Sequence, residues 1–191
     1  MHTFTEPGGV LAPGGQFTIA ELCAMERDGV LSRVFGQAFR SVAEPETAAL
    51  RASALAHHVP AALAGRAVLG RGSAAWVHGC APPPPAICLL LDRGHRTTSL
   101  APLSGCNVHE VQLGPYDAER LGGAQVTCAL RTAVDIAMHE PAARAVPVLL
   151  ALSRNADLNC PLGRINMAVG MARHVPGKRR AQDLLRSLLE R

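Results

Sequence analysis

Lysine is almost missing from this chain. Lys178 is the sole lysine among 19 basic side chains, so positive charge is carried by arginine. In a sequence this rich in alanine, glycine and proline, as a GC-rich genome would also produce, the bias is no nucleic-acid signal by itself. Aromatic residues are scarce too, at 3%, which argues against the stacking platforms of single-strand and RNA-binding modules. No uninterrupted apolar run reaches about 18 residues, so no transmembrane helix is expected. Met1 to Gln16 lack the basic start and apolar stretch of a secretion signal, which makes a cytoplasmic protein the expectation. The six cysteines, at positions 23, 80, 88, 106, 128 and 160, include no Cys-x-x-Cys pair. That spacing argues against a zinc knuckle or a redox dithiol, and the thiols are read as small reduced apolar groups.

The motifs of common catalysts are missing as well. There is no Gly-x-x-x-x-Gly-Lys-Ser/Thr loop, no Gly-x-Gly-x-x-Gly after a strand and no His-Glu-x-x-His. His57 and His58 are adjacent, but neighbours on a helix point about 100° apart and make poor co-ligands. No catalytic residue, cofactor or resident metal is therefore assigned, and the expectation is a non-enzyme. One alternative carries weight: Asp92 ends a strand and Glu110-Val-Gln112 lies on the next long one. An acid beside a Glu-x-Gln superficially resembles the magnesium site of restriction-type nucleases, although the usual lysine is missing.

The chain does have the means to bury a core: 191 residues, 48% hydrophobic and 18% charged. Its net charge of +4 hides a segregation, with −3 over residues 1–50, +4 over 51–100, −2 over 101–150 and +5 over 151–191. The last segment holds Lys178, Arg179 and Arg180, which suit phosphates or an acidic partner.

Local chemistry suggests the elements. Residues 1–16 read as a flexible lead-in. Thr18-Ile-Ala-Glu21 is a capping box with Phe17 and Leu22 as its hydrophobic staple, and the helix should stop at Gly29. Two short runs, Val30–Phe35 and Ala38–Val42, read as a β-hairpin, so that residues 17–44 form a partial winged helix-turn-helix. A body over 45–191 follows. Pro45 suits the first turn of a helix reaching about His58. Ala67–Leu69 is a short strand, Ser73 caps a helix that ends at Gly79, and Pro82 to Pro85 form a stiff connector. Ala86–Leu91 and Cys106–Leu113 are strands, and Thr127 is expected to cap a helix from Cys128 to His139. Later helices break near Pro147, Asn159–Pro161 and Pro176-Gly177. The last, Lys178–Arg191, should turn Leu184, Leu185, Leu188 and Leu189 inward. The fold class is α+β: a small winged-helix-like unit and an α/β body with a short mixed sheet and C-terminal helices.

Three stretches in this order resemble the AbiEi-type antitoxins of type IV toxin–antitoxin systems. Gly29-Val-Leu-Ser-Arg33 through Phe39-Arg-Ser-Val42 is similar to the family's passage from helix to wing. Gly72-Ser-Ala-Ala-Trp-Val-His-Gly79 and Val126-Thr-Cys-Ala-Leu-Arg-Thr-Ala-Val-Asp135 are similar to its two central motifs. Pro176-Gly-Lys-Arg-Arg180 echoes its C-terminal Pro-Gly-Arg region. The resemblance implies an autoregulator that binds operator repeats in double-stranded DNA and neutralises a nucleotidyltransferase-like toxin. Longer relatives append a Vsr-like endonuclease domain, and this sequence stops at Arg191 before one would begin. The wing glycine and tyrosine of the family appear here as Gln37 and Phe39.

On that reading Thr18, Ala24 and Arg27 face a groove, Arg33 and Arg40 approach phosphates, and Lys178, Arg179 and Arg180 add a second basic contact. Ser73, Ala74, Ala75, His78, Gly79, Arg131, Thr132 and Asp135 are read as structural members of the family motifs. A toxin-binding module that does not touch DNA is the second reading, and the Asp92/Glu110 nuclease the third. No membrane partner is expected, and monomer and dimer both remain open.

Overall fold

The Thr18 side chain starts the first helix as its chemistry dictates. It accepts from the Glu21 N–H at 3.3 Å, while the Glu21 carboxylate accepts from the Thr18 N–H at 2.7 Å. A computed structural model describes residues 9–93, 104–172 and 175–190. In it α1 runs over Ile19–Arg27 and stops at Gly29, as expected. The hairpin also forms, with β1 at Leu31–Phe35 antiparallel to β2 at Ala38–Ser41 and a bulge between Arg33 and Phe35.

The hairpin is sandwiched. Its Leu31 and Phe39 join Leu22, Phe17 and Met25 in a small core under α1, whereas Val34 and Ala38 enter the core of the body. Phe35 seals that junction with its ring 5.5 Å from Trp76. Leu11 exchanges backbone hydrogen bonds with Phe39 at 2.8 Å each way and packs against the same small core. Residues 9–16 thus hold a β-bridge where a flexible lead-in was expected, and the expectation for 1–8 lies outside the described residues.

The body is a mixed sheet of five strands in the order β5-β4-β3-β7-β6. These are β3 (Val68–Leu69), β4 (Ile87–Asp92), β5 (Cys106–Val111), β6 (Ala118–Leu121) and β7 (Ala124–Thr127). β4 runs parallel to β5, and β3 runs parallel to β7, while the β3–β4 and β6–β7 pairs are antiparallel. β4 reads as a continuous apolar run because both of its faces are covered. Ile87, Leu89 and Leu91 face the larger core with Trp76 and Leu55, and Cys88 and Leu90 face a smaller one with Val68. The hairpin β6–β7 was not foreseen, since Ala118–Leu121 carries two charged residues and no apolar alternation.

Helices close both ends of the body: α2 (Ala48–Ala56), α3 (Arg71–Val77), α4 (Ala129–His139), α5 (Ala142–Arg154), α6 (Leu162–Met171) and α7 (Lys178–Leu189). Several boundaries differ from expectation for definable reasons. α2 starts after Thr47, whose hydroxyl accepts from the Leu50 N–H, so Pro45 stays outside it. Gly70 is the N-cap of α3, which leaves Ser73 inside the helix, accepting from the Cys88 N–H at 2.8 Å. Thr127 ends β7 and Cys128 is the N-cap of α4. Pro147 sits within α5, where its missing N–H costs one bond without stopping the helix. On α7, Leu185 and Leu188 are buried but Leu189 is 48% exposed. Arg191, the expected end of that helix, lies outside the described residues.

One buried ionic cluster ties helix to sheet. Both oxygens of the nearly buried Asp135 accept from Arg131 Nε, at 3.0 and 3.1 Å. Arg131 Nη1 reaches Asp117 at 2.5 Å and the Gln112 carbonyl at 3.1 Å. Burial pushes the Asp135 carboxyl above its ordinary range, against the pull of Arg131. Arg131→Ala leaves that carboxylate buried without a cation and should remove about 3 kcal/mol of stability. Urea unfolding checks this, and the double change Arg131→Met with Asp135→Leu should recover most of the loss.

Candidate functional site

The helix–hairpin unit presents α1 outward. Among its residues only Leu22 is buried, and Ala20, Cys23 and Arg27 are exposed on the opposite side. Thr18 is exposed, but its hydroxyl belongs to the capping box, and Ala24 is half-buried. The two hairpin arginines do not stand free. Arg33 is paired with Glu26, with contacts of 2.5 and 3.1 Å, donates to the Gly36 carbonyl at 2.6 Å and lies 4.5 Å above the Phe39 ring. The Glu26 contact holds its guanidinium above the ordinary arginine value. Arg40 is half-buried and donates to the carbonyls of Ser41 and Glu44. Of the three arginines in this unit, Arg27 alone is exposed with no hydrogen-bond or ion-pair partner among the described residues.

The basic run of α7 is likewise part of the architecture. Lys178 Nζ donates to the carbonyls of Gly170 and Ala172 at the end of α6. Arg180 donates to the carbonyls of Met138 and Glu140 at the end of α4. Cations suit these positions because the last carbonyls of a helix lack internal partners and carry partial negative charge. Gly177 makes the approach possible. Its φ is +86°, and a Cβ there would lie 2.3 Å from the Met138 carbonyl oxygen. Arg179 is the member of the run left exposed without a partner among the described residues.

The two central motifs, about fifty residues apart, meet at Thr127. His78 Nε2 is 2.8 Å from the Thr127 carbonyl, and Thr132 Oγ1 donates to the same oxygen at 3.1 Å. The Thr127 and Thr132 hydroxyls are 2.7 Å apart. Ala74 and Ala75 are fully buried, and Gly79 takes a φ of +75° that lets the chain leave α3. Together with Ser73, Arg131 and Asp135, these residues lock α3 and α4 against the sheet.

Asp92 and Glu110 do not converge. In the parallel β4–β5 pair, Leu91 lies opposite Glu110 and Asp92 opposite Val111, so the two carboxylates project from opposite faces. Asp92 accepts from the Leu113 N–H at 3.1 Å, and Glu110 is exposed. No group of three or more His, Cys, Asp and Glu with metal-site geometry occurs among the described residues.

A feature that the motifs did not indicate is a cavity of about 510 Å³, between the start of α3, the Pro82–Pro85 run and helices α4 and α5. Arg71 and His109 stand on its wall, with Arg71 Nη1 3.2 Å from His109 Nε2. A guanidinium has no acceptor, so this contact assigns the His109 proton to Nδ1. Burial, and then Arg71, lowers the His109 pKa below its ordinary 6.5. Nothing in the local spacing of Arg71 and His109 announces them, because they are 38 residues apart.

Compared with known proteins, the chain matches no family model and no curated protein.

Two outcomes follow from this geometry. Gly177→Ala should cost on the order of 2 kcal/mol, through the left-handed backbone and the clash with Met138 together; the shift in urea midpoint measures it. His109 should make stability fall as pH drops below about 7. The unfolded chain takes up that proton near 6.5 and the folded chain only lower, so the unfolded state binds more protons in the window. His109→Gln should flatten this slope. A remainder should persist from His139, which partial desolvation and nearby cations push down to about 4.

Proposed function

We propose that this chain is a transcriptional regulator of the AbiEi antitoxin kind, which holds duplex DNA through its helix–hairpin unit and engages a nucleotidyltransferase-type toxin through its body. One observation carries the reading. α1 is capped at both ends yet buries Leu22 alone, and the hairpin beneath it is clamped to the body through Phe35 and Trp76. A helix anchored on one side, with Ala20, Cys23 and Arg27 exposed on the other, fits a major groove about 12 Å wide. Arg27 is then the first contact with a phosphate or a base edge. Arg33 contributes by sharing its guanidinium between Glu26 and a phosphate, which its partly exposed position permits.

A second reading rests on the internal engagement of Arg33 and Arg40. If those side chains stay with their present partners, Arg27 is the one cation of the unit without a partner among the described residues and the balance is acidic, which suits a protein partner better than phosphates. Fluorescence anisotropy on duplex fragments from upstream of the chain's own gene separates the two readings. Binding should weaken with salt, and Arg27→Ala should reduce affinity about tenfold and the salt slope by about one. Glu26→Gln, which frees Arg33, should tighten binding. No binding to any upstream fragment at about 50 mM salt, with co-purification of the neighbouring gene product, would establish the second reading instead.

A further inference from the structure

We propose that the cavity behind the Pro82–Pro85 run is a binding site for a small monocarboxylate with an apolar body, held by Arg71. This inference is independent of DNA binding, and four observations lead to it. The first is size: about 510 Å³ is the range of small-molecule sites and is too small for a protein segment of any length.

The second is the state of Arg71. Its side chain is partly buried, and it forms no ion pair with any carboxylate among the described residues. Among the described residues its buried Nε has no hydrogen-bond partner, and the polar contact that its side chain makes is with the acceptor nitrogen of His109. A partly buried guanidinium with its Nε unpartnered is stabilised by a carboxylate, which meets the Nε and Nη fork with two parallel bonds.

The third is backbone strain. Arg71 holds φ at +49°, a left-handed conformation that side chains other than asparagine and aspartate rarely adopt. Glycines flank it at 70 and 72, so the chain here already uses the residue that would sit in that conformation without cost. Arginine at this position is destabilising for the fold, and a ligand contact is the kind of role for which such strain is retained.

The fourth is the balance of charge and polarity on the wall. Arg144 is paired with Glu140 at 3.1 Å, and Asp135, which does not line the cavity, shares Arg131 with Asp117. His109 is neutral near pH 7, its lowered pKa owing to burial first and Arg71 second. The Cys88 thiol is pushed up to about 12 by burial and also stays neutral. On the lining itself Arg71 and Arg144 against Glu140 leave one positive charge, which matches a carboxylate and leaves a phosphate dianion undercompensated beside Glu140. The remaining wall is largely apolar, with Ile136 and Val148 facing the proline run. That combination selects a branched or aromatic acid over a polar one.

The test uses the full chain and three acids of increasing size: isovalerate, phenylacetate and indole-3-acetate. Phenylacetamide serves as the uncharged counterpart, and inorganic phosphate as the alternative anion. Calorimetric titration should show saturable one-to-one binding of at least one acid, with phenylacetamide at least about tenfold weaker than phenylacetate. Arg71→Gly should abolish acid binding while leaving the melting temperature of the free protein equal or higher, because it removes the strain along with the charge. Arg71→Met, which keeps the side-chain bulk, should abolish binding as well. Failure of all three acids to bind below about 10 mM, equal affinity for the amide, tighter binding of phosphate, or undiminished acid binding by either variant would each overturn the proposal.

Discussion

Asp135 is tolerable in the interior only because Arg131 lies one helical turn away and spans the gap to the sheet. The carboxylate has lost its water, and burial raises its proton affinity. A single guanidinium offsets this with two bonds to Asp135 and further bonds to Asp117 and the Gln112 carbonyl. The segment after β5, the turn before β6 and the start of α4 are thereby fixed by one planar group. Desolvation makes the arrangement demanding, since either charge alone would be worse than none. Beside it, Thr127 collects donors from His78 and Thr132, so α3 and α4 are referenced to the same strand end. The cavity lies between those two helices and inherits its shape from that junction.

The hairpin shows how the same economy positions a surface. A two-stranded ribbon is marginal by itself. Here one face feeds the body core through Val34 and Ala38, and the other roofs a small core under α1 through Leu31 and Phe39. Phe35 against Trp76 and the Leu11–Phe39 bridge close the remaining sides. α1 is consequently held at a defined place through Leu22 and Met25, with Leu22 its one fully buried residue.

Arginine carries most of the structural electrostatics, and its placements explain why a charge count misleads. The Arg33 guanidinium lies on Glu26, Arg40 on carbonyls of its own loop, and Arg180 on the end of α4. Each satisfies backbone or carboxylate groups that folding would otherwise leave short of partners. Arg71 departs from this habit. It is partly buried and strained, it has no carboxylate partner among the described residues, and it faces a cavity instead of a helix end.

Features settled within a few residues were legible in the amino-acid order. The Thr18 box, the stop at Gly29, the hairpin and the apolar β4 all appear where local spacing places them, because caps, turns and alternating faces are satisfied by near neighbours. Errors arose where two local signals competed, as with Pro45 against Thr47 and Ser73 against Gly70, or where packing overrode a breaker, as at Pro147. The motif residues were recognisable, but their meeting at Thr127 was not. Local order by itself determined most of the helices and strands, the β6–β7 hairpin excepted, and that the chain is α+β. Tertiary structure decided which charged groups remain available, since the partners of Arg180, Arg131 and Arg71 lie 42, 14 and 38 residues away and only folding brings them within reach.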